Sequence, residues 1–222
     1  RNWRVDIARA LFEPGDHVLF EDTTRTNISI ATGGVSPSST TFSNASARYT
    51  LMGGPLSGNG PLFKHQAGDL RLTSSNSFGG TFTITSGRVF VAHAQALGSA
   101  TGGTEVRPGA SLFLENGILY QTAEPLSLSG NGFSGQGALQ ILSGTGFFYV
   151  PITFAAPTSV GSPSNSLLAL YGPLQGTGDW AKVGAGSLAF AGSSTNTFSG
   201  TCHVAAGTLF IQKTGNVPAI PG

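Results

Sequence analysis

Apolar and polar residues alternate in short runs along the whole chain. Phe82 and Ile84 are interleaved with Thr81, Thr83 and Thr85, Val89 and Val91 with Arg88 and Phe90, and Leu112 and Leu114 with Ser111, Phe113 and Glu115. Period-two alternation sends successive side chains to opposite faces of a strand, and clusters of Gly, Ser, Asn and Pro bound each run as turns would. Strands this short and this often interrupted cannot each bury a face alone. Stacked one upon another, about 4.8 Å apart, they line a shared interior.

Internal similarity supports the stack. Leu56 to Lys64 aligns with Leu174 to Lys182, and Ala67 to Leu72 with Ala185 to Phe190. Asn76-Ser-Phe78-Gly-Gly80 then matches Asn196-Thr-Phe198-Ser-Gly200, and Gly87 to Val91 matches Gly207 to Ile211. Shorter copies lie between, at Leu128 to Gly132, Asn131 to Gly135 and Leu142 to Gly146. The expected fold is all-β, a single parallel β-solenoid (β-helix) of about 20–25 residues per coil and about nine or ten coils. Residues 1–22 are expected to form an N-terminal cap or extension, 23–213 the solenoid, and 214–222 a Pro-rich tail. Phe82, Ile84, Val89, Val91, Leu188, Phe190, Cys202, Val204, Leu209 and Ile211 should point inward. Phe90, Phe113 and Phe210 should point outward, as a contact row or under a covering loop. The recurring glycines, such as Gly176 and Gly178, fit tight corners. Asn76, Asn131 and Asn196 fit left-handed turns or amide ladders.

Charge sharpens this picture. Asp, Glu, Lys and Arg make up 9% of the 222 residues, against roughly 25% in an ordinary soluble domain. The surface must then be mostly Ser, Thr, Asn, Gln and Gly, which suits self-association or sugar binding. The net charge of +1 comes with no basic cluster, so no nucleic-acid partner is expected. No apolar run is long enough to span a bilayer, so no membrane insertion is expected.

Asn196 to Leu209 resembles the autotransporter-associated β-strand repeat of bacterial surface proteins, with Cys202 where Thr is usual. Asn76 to Val91 is a looser copy. The opening, with Asn2-Trp3, Phe12, Gly15-Asp16 and Phe20 to Asp22, is similar to the start of large secreted bacterial repeat proteins. The resemblance implies a right-handed β-solenoid outside the cell or on its surface, and no particular activity. It also implies a C-terminal membrane barrel. None follows here, nor an anchor after Ile211, which fits a released passenger, a fragment or a small independent subunit.

Candidate chemistry is sparse. Glu13, Asp16, Glu21 and Asp22 cluster near the start and read as a solvated cap. His17, His65, His93 and His203 share no close spacing, and Cys202 reads as a small buried hydrophobe beside an outward His203. Asn27-Ile-Ser29 and Asn44-Ala-Ser46 match glycosylation sequons by chance. No catalytic, cofactor-binding or metal site is expected, and the protein is read as a non-enzyme. Asp69, Arg71 and Arg88 alone approach the convergent polar set that a polysaccharide lyase or hydrolase would need. The first expectation for function is an extracellular structural subunit that assembles end to end into a homopolymer, since an open solenoid end is an unpaired strand edge. Trp3, Phe12, Phe20, Phe210, Ile211, Val217 and Ile220 would form the junction. The alternative is a monomeric adhesin or passenger fragment that binds surfaces or glycans.

Overall fold

The computed structural model describes residues 3–5, 8–115, 117–122 and 124–221, with side chains from residue 11 onward. The chain coils into an all-β solenoid of about 9 turns. Its strands stack in three ladders, and every pairing in them is parallel. The first ladder runs from His17–Glu21 through Ser39–Ser43, Leu62–His65, Phe82–Ile84, Thr104–Val106 and Leu126–Gly130. It ends on the first part of Ile152–Gly161 and on Leu174–Gly176. The second runs from Asn27–Ile30 through Arg48–Gly53, Asp69–Leu72, Gly87–Val91, Ala110–Leu114 and Leu139–Ile141. It continues through the last part of Ile152–Gly161 to Trp180–Val183 and Cys202–Val204. The third begins as a single bridge between Val35 and Leu56. It becomes regular strand only at Leu119–Tyr120, Thr145–Phe148, Leu167–Leu170, Ser187–Gly192 and Thr208–Lys213. Before the solenoid, Trp3–Val5 and Ala8–Ala10 pair antiparallel.

The interior follows from the alternation. Phe82, Ile84, Val89, Val91, Leu188 and Phe190 are fully buried. Cys202 and Leu209 are half-buried, while Val204 and Ile211 are 41% and 51% exposed. These four stand in register beneath Trp180, Leu188, Lys182 and Phe190, so their direction is inward as expected. They differ in burial because the strands that carry them have a neighbour on one side only. Aromatic rings stack from coil to coil inside, Phe20 on Phe42 at 4.7 Å and Phe154 on Trp180 at 5.3 Å.

Corners are set by backbone proximity. At Gly178 an added Cβ would lie 2.3 Å from the Ala156 carbonyl oxygen of the coil above. Gly176 stands at φ 106° with the Phe154 oxygen equally close. The Asn-x-Phe-x-Gly corners are stitched by amides rather than by left-handed turns. Asn76 accepts the Leu56 N–H at 2.9 Å and donates to the Ala96 carbonyl at 2.7 Å. Asn196 does the same, accepting from Leu174 at 3.1 Å and donating to Ala219 at 2.7 Å. Asn131 is exposed and receives the Ser159 hydroxyl instead. Asn76→Ala is expected to strand one buried N–H and one buried C=O, and to lower the unfolding free energy by about 2–4 kcal/mol. Urea denaturation reads this, and an unchanged midpoint would contradict the bridging role.

The two aligned copies occupy different sides of the solenoid. Leu62–His65 lies in the first ladder and Asp69–Leu72 in the second. Their counterparts Trp180–Val183 and Ser187–Gly192 lie in the second and third. The repeat has therefore advanced by one face between the copies.

Candidate binding surface

Side chains that leave the interior define what the molecule can present. On the second ladder, Arg48, Asp69, Arg88 and Ser111 stand in register on successive coils. Beside them runs the column Thr50, Arg71, Phe90, Phe113 and Gln140. Asp69 receives Arg48 Nε at 2.9 Å, Arg88 Nε at 2.8 Å and Arg88 Nη2 at 3.0 Å. Arg71 grips Glu115 through two bonds, Nε at 2.5 Å and Nη2 at 2.7 Å. Phe90 and Phe113 face outward as expected, yet they are only 9% and 5% exposed. They stack on each other at 5.0 Å, and the guanidiniums of Arg88 and Arg48 lie 5.6 and 6.0 Å from the Phe90 ring. The outward row is thus an aromatic floor roofed by cations. Phe133 closes one side, 5.3 Å from the Arg88 guanidinium. Its loop is pinned by Ser111, whose hydroxyl accepts the Phe133 N–H at 2.8 Å and donates to the Gly137 carbonyl at 2.6 Å.

The third ladder shows a second, uncharged aromatic group. Tyr149 stacks on Tyr171 at 4.4 Å, with Phe147 6.2 Å from Tyr171. Tyr149 is 37% exposed and Phe147 half-buried, whereas Phe148 points in and is fully buried.

The residues expected at an assembly junction divide between opposite ends of the stack. Phe20, on the first strand of the first ladder, packs against the core, and Phe12 is half-buried. Trp3 belongs to the antiparallel pair, and its side chain lies outside the described residues. Phe210, Ile211 and Ile220 are exposed at the other end and Val217 is half-buried.

Three buried ionisable groups carry no sequence signal of their own. Lys64 and Lys182 occupy inward columns at matching repeat positions. Lys64 Nζ donates to the carbonyls of His65 and Gln66 at 2.7 and 2.8 Å. Lys182 Nζ donates to Val183, Gly184 and Ala206. Each lysine thereby caps carbonyls where its strand runs into the following turn. Burial pushes the Lys64 ammonium down to about 8. Glu124 is 2% exposed and receives the hydroxyls of Thr104 at 2.6 Å and Tyr120 at 3.1 Å. Burial, partly opposed by those hydroxyls, pushes its carboxyl up to about 7.

Among the described residues no three His, Cys, Asp or Glu side chains come together as a metal site, and no helix is long and apolar enough to cross a membrane. A shallow depression of about 410 Å³ between Pro55 and Ser75 is lined without ionisable side chains.

The Passenger-associated-transport-repeat family model matches residues 62–89 and 181–210, the cores of the two aligned copies. The chain is also similar to the Adhesin BmaC autotransporter of Brucella suis biovar 1 (strain 1330), 32% identical over 154 residues. That match covers 69% of this chain and 4% of the relative, so the chain spans a small fraction of that protein's length. No solved structure matches. With two passenger-associated-transport-repeats set in a parallel solenoid and a matching stretch of an autotransporter, the chain belongs with the passenger-type β-solenoids that stand outside bacterial cells, at the cell surface.

Proposed function

We propose that this chain is a rigid, non-catalytic passenger segment of a surface adhesin, one that presents its outward faces to a partner surface. The repeat match at residues 62–89 and 181–210 carries the reading, because those segments build the coils themselves rather than a separate site. The relative's name adds the word adhesin. Both observations speak for a passenger and neither speaks of self-assembly, so adhesion takes precedence over the end-to-end filament expected from the sequence. The shape suits the role. A parallel stack resists extension through its continuous backbone hydrogen bonds, and a surface poor in charge approaches another surface with little long-range repulsion.

The test is attachment. Beads coated with the purified chain are expected to adhere to cells or matrix-coated plates above the level of albumin-coated beads, saturably, and with competition from soluble chain. Attachment equal to the albumin control on every surface tried would overturn the proposal.

A further inference from the structure

We propose that the outward side of the second ladder around Arg48, Arg71 and Arg88 is a binding site for carboxylated polysaccharide, a polyuronate chain, whose carboxylates the guanidinium groups take up. The proposal rests on the adhesin reading and gives that reading a ligand class.

Ionic side chains are unevenly placed along the chain. Beyond Glu124 the only Asp, Glu, Lys or Arg residues are Asp179, Lys182 and Lys213. Arg48, Arg71 and Arg88, by contrast, come from three consecutive coils of one face. Three guanidiniums there meet two carboxylates. The Asp69 side chain is 6% exposed and fully occupied by Arg48 and Arg88, so its charge is spent beneath the surface. The Arg48 side chain is 68% exposed. Among the described residues only its Nε is engaged, which leaves both terminal nitrogens free to donate outward.

The guanidiniums are also held in place before any ligand arrives. Asp69 and the Phe90 ring fix Arg48 and Arg88 from below, Phe133 flanks Arg88, and Glu115 fixes Arg71 through two bonds. Less side-chain entropy remains to be lost on binding. Planar guanidiniums match carboxylates through paired N–H donors. The backbones of Arg48 and Arg88 stand two strands, about 9.6 Å, apart along the solenoid, but both side chains converge on Asp69 and form one cationic cluster. A polyuronate carries one carboxylate per sugar, so a chain laid along the ladder brings a carboxylate to this cluster whichever sugar lies over it. The exposed part of the Phe133 ring gives the apolar C–H face of a sugar a surface to rest on.

Titration of the purified chain with oligogalacturonate by calorimetry tests the site, with dextran, methyl-esterified oligogalacturonate and poly-glutamate as comparison ligands. The expected result is binding to oligogalacturonate that weakens with added salt, and none to dextran or the ester. Arg48→Gln is expected to weaken it about tenfold through loss of charge-assisted bonds. Arg107→Gln, which removes an exposed arginine paired with Glu105 on another face, is expected to leave it unchanged. Thermal melts confirm that both variants fold, as the exposure of Arg48 leads one to expect. No binding of oligogalacturonate, an unchanged affinity in Arg48→Gln, or equal binding of the ester would overturn the proposal. Equal binding of poly-glutamate would overturn it too and assign the face to an acidic protein. If coated beads attach to cells equally well with and without Arg48→Gln, this site fails while the adhesin reading stands.

Discussion

Trp180→Ala is expected to cost about 3–5 kcal/mol and to loosen the C-terminal coils first. The indole is 2% exposed and sits among Phe154 at 5.3 Å, Phe190 at 5.2 Å and Phe198 at 5.9 Å. Truncation opens a cavity where the first, second and third ladders meet. Each coil of a solenoid is held mainly by its neighbours, so damage propagates along the stack rather than across a whole globule. Hydrogen exchange should then show lost protection in Trp180–Val183 and Ser187–Gly192 while Leu62–His65 and Asp69–Leu72 stay protected. Trp180→Phe is the control. The indole N–H has no hydrogen-bond partner among the described residues, so the smaller ring removes an unsatisfied donor as well as some contact, and the loss should stay below about 1.5 kcal/mol. Uniform loss of protection along the chain in Trp180→Ala would refute local unravelling.

Glu124→Gln is expected to change how stability depends on pH. The folded carboxyl titrates near 7, against an ordinary value of 4.5. The native state therefore holds a proton that the unfolded chain releases. Stability from this group is fully present below pH 4.5 and falls as pH rises through 7, by about 3 kcal/mol in all. The groups that face it are the hydroxyls of Thr104 and Tyr120, and burial, with the Glu124 carboxyl adding to it, pushes the Tyr120 phenol upward in turn. Urea midpoints measured from pH 4.5 to 8 should decline in the native sequence. They should be nearly flat in Glu124→Gln, whose amide oxygen accepts one hydroxyl and whose NH2 donates to the other, without the charge. Parallel slopes in the two proteins would show that the carboxyl does not titrate in this range.

The ladders were legible because period two and internal alignment are local signals. Phe82, Ile84, Val89 and Val91 declare their direction through their immediate neighbours. Val204 and Ile211 declare the same direction, but burial depends on a strand beyond them, which no local pattern reports. Alignment of Leu62–His65 with Trp180–Val183 establishes that the two segments are built alike. It does not say which side of the stack either occupies, because that depends on the length of every intervening corner. On the candidate surface, Asp69, Arg71 and Arg88 are legible in the sequence as the one set that approaches convergent polar groups on a face. Arg48 was not, since it lies 21 positions before its partner Asp69 and joins it only through coil stacking. Glu124 was hidden for a different reason: a lone carboxylate between Ala123 and Pro125 gives no sign that Thr104 and Tyr120 enclose it.

The one-face advance of the repeat also bears on how such a chain can change its length over generations. Each side of the stack accepts the strand types of its neighbour: the Leu62-type strand sits in the first ladder and its Trp180 counterpart in the second, both in unbroken parallel register. Genetic exchange between similar segments need not then add or delete a whole turn to leave a foldable product. A gain or loss of a single side turns everything downstream about the long axis and preserves the hydrogen bonding. Selection can in this way redirect which way each surface patch points without redesigning any interior contact.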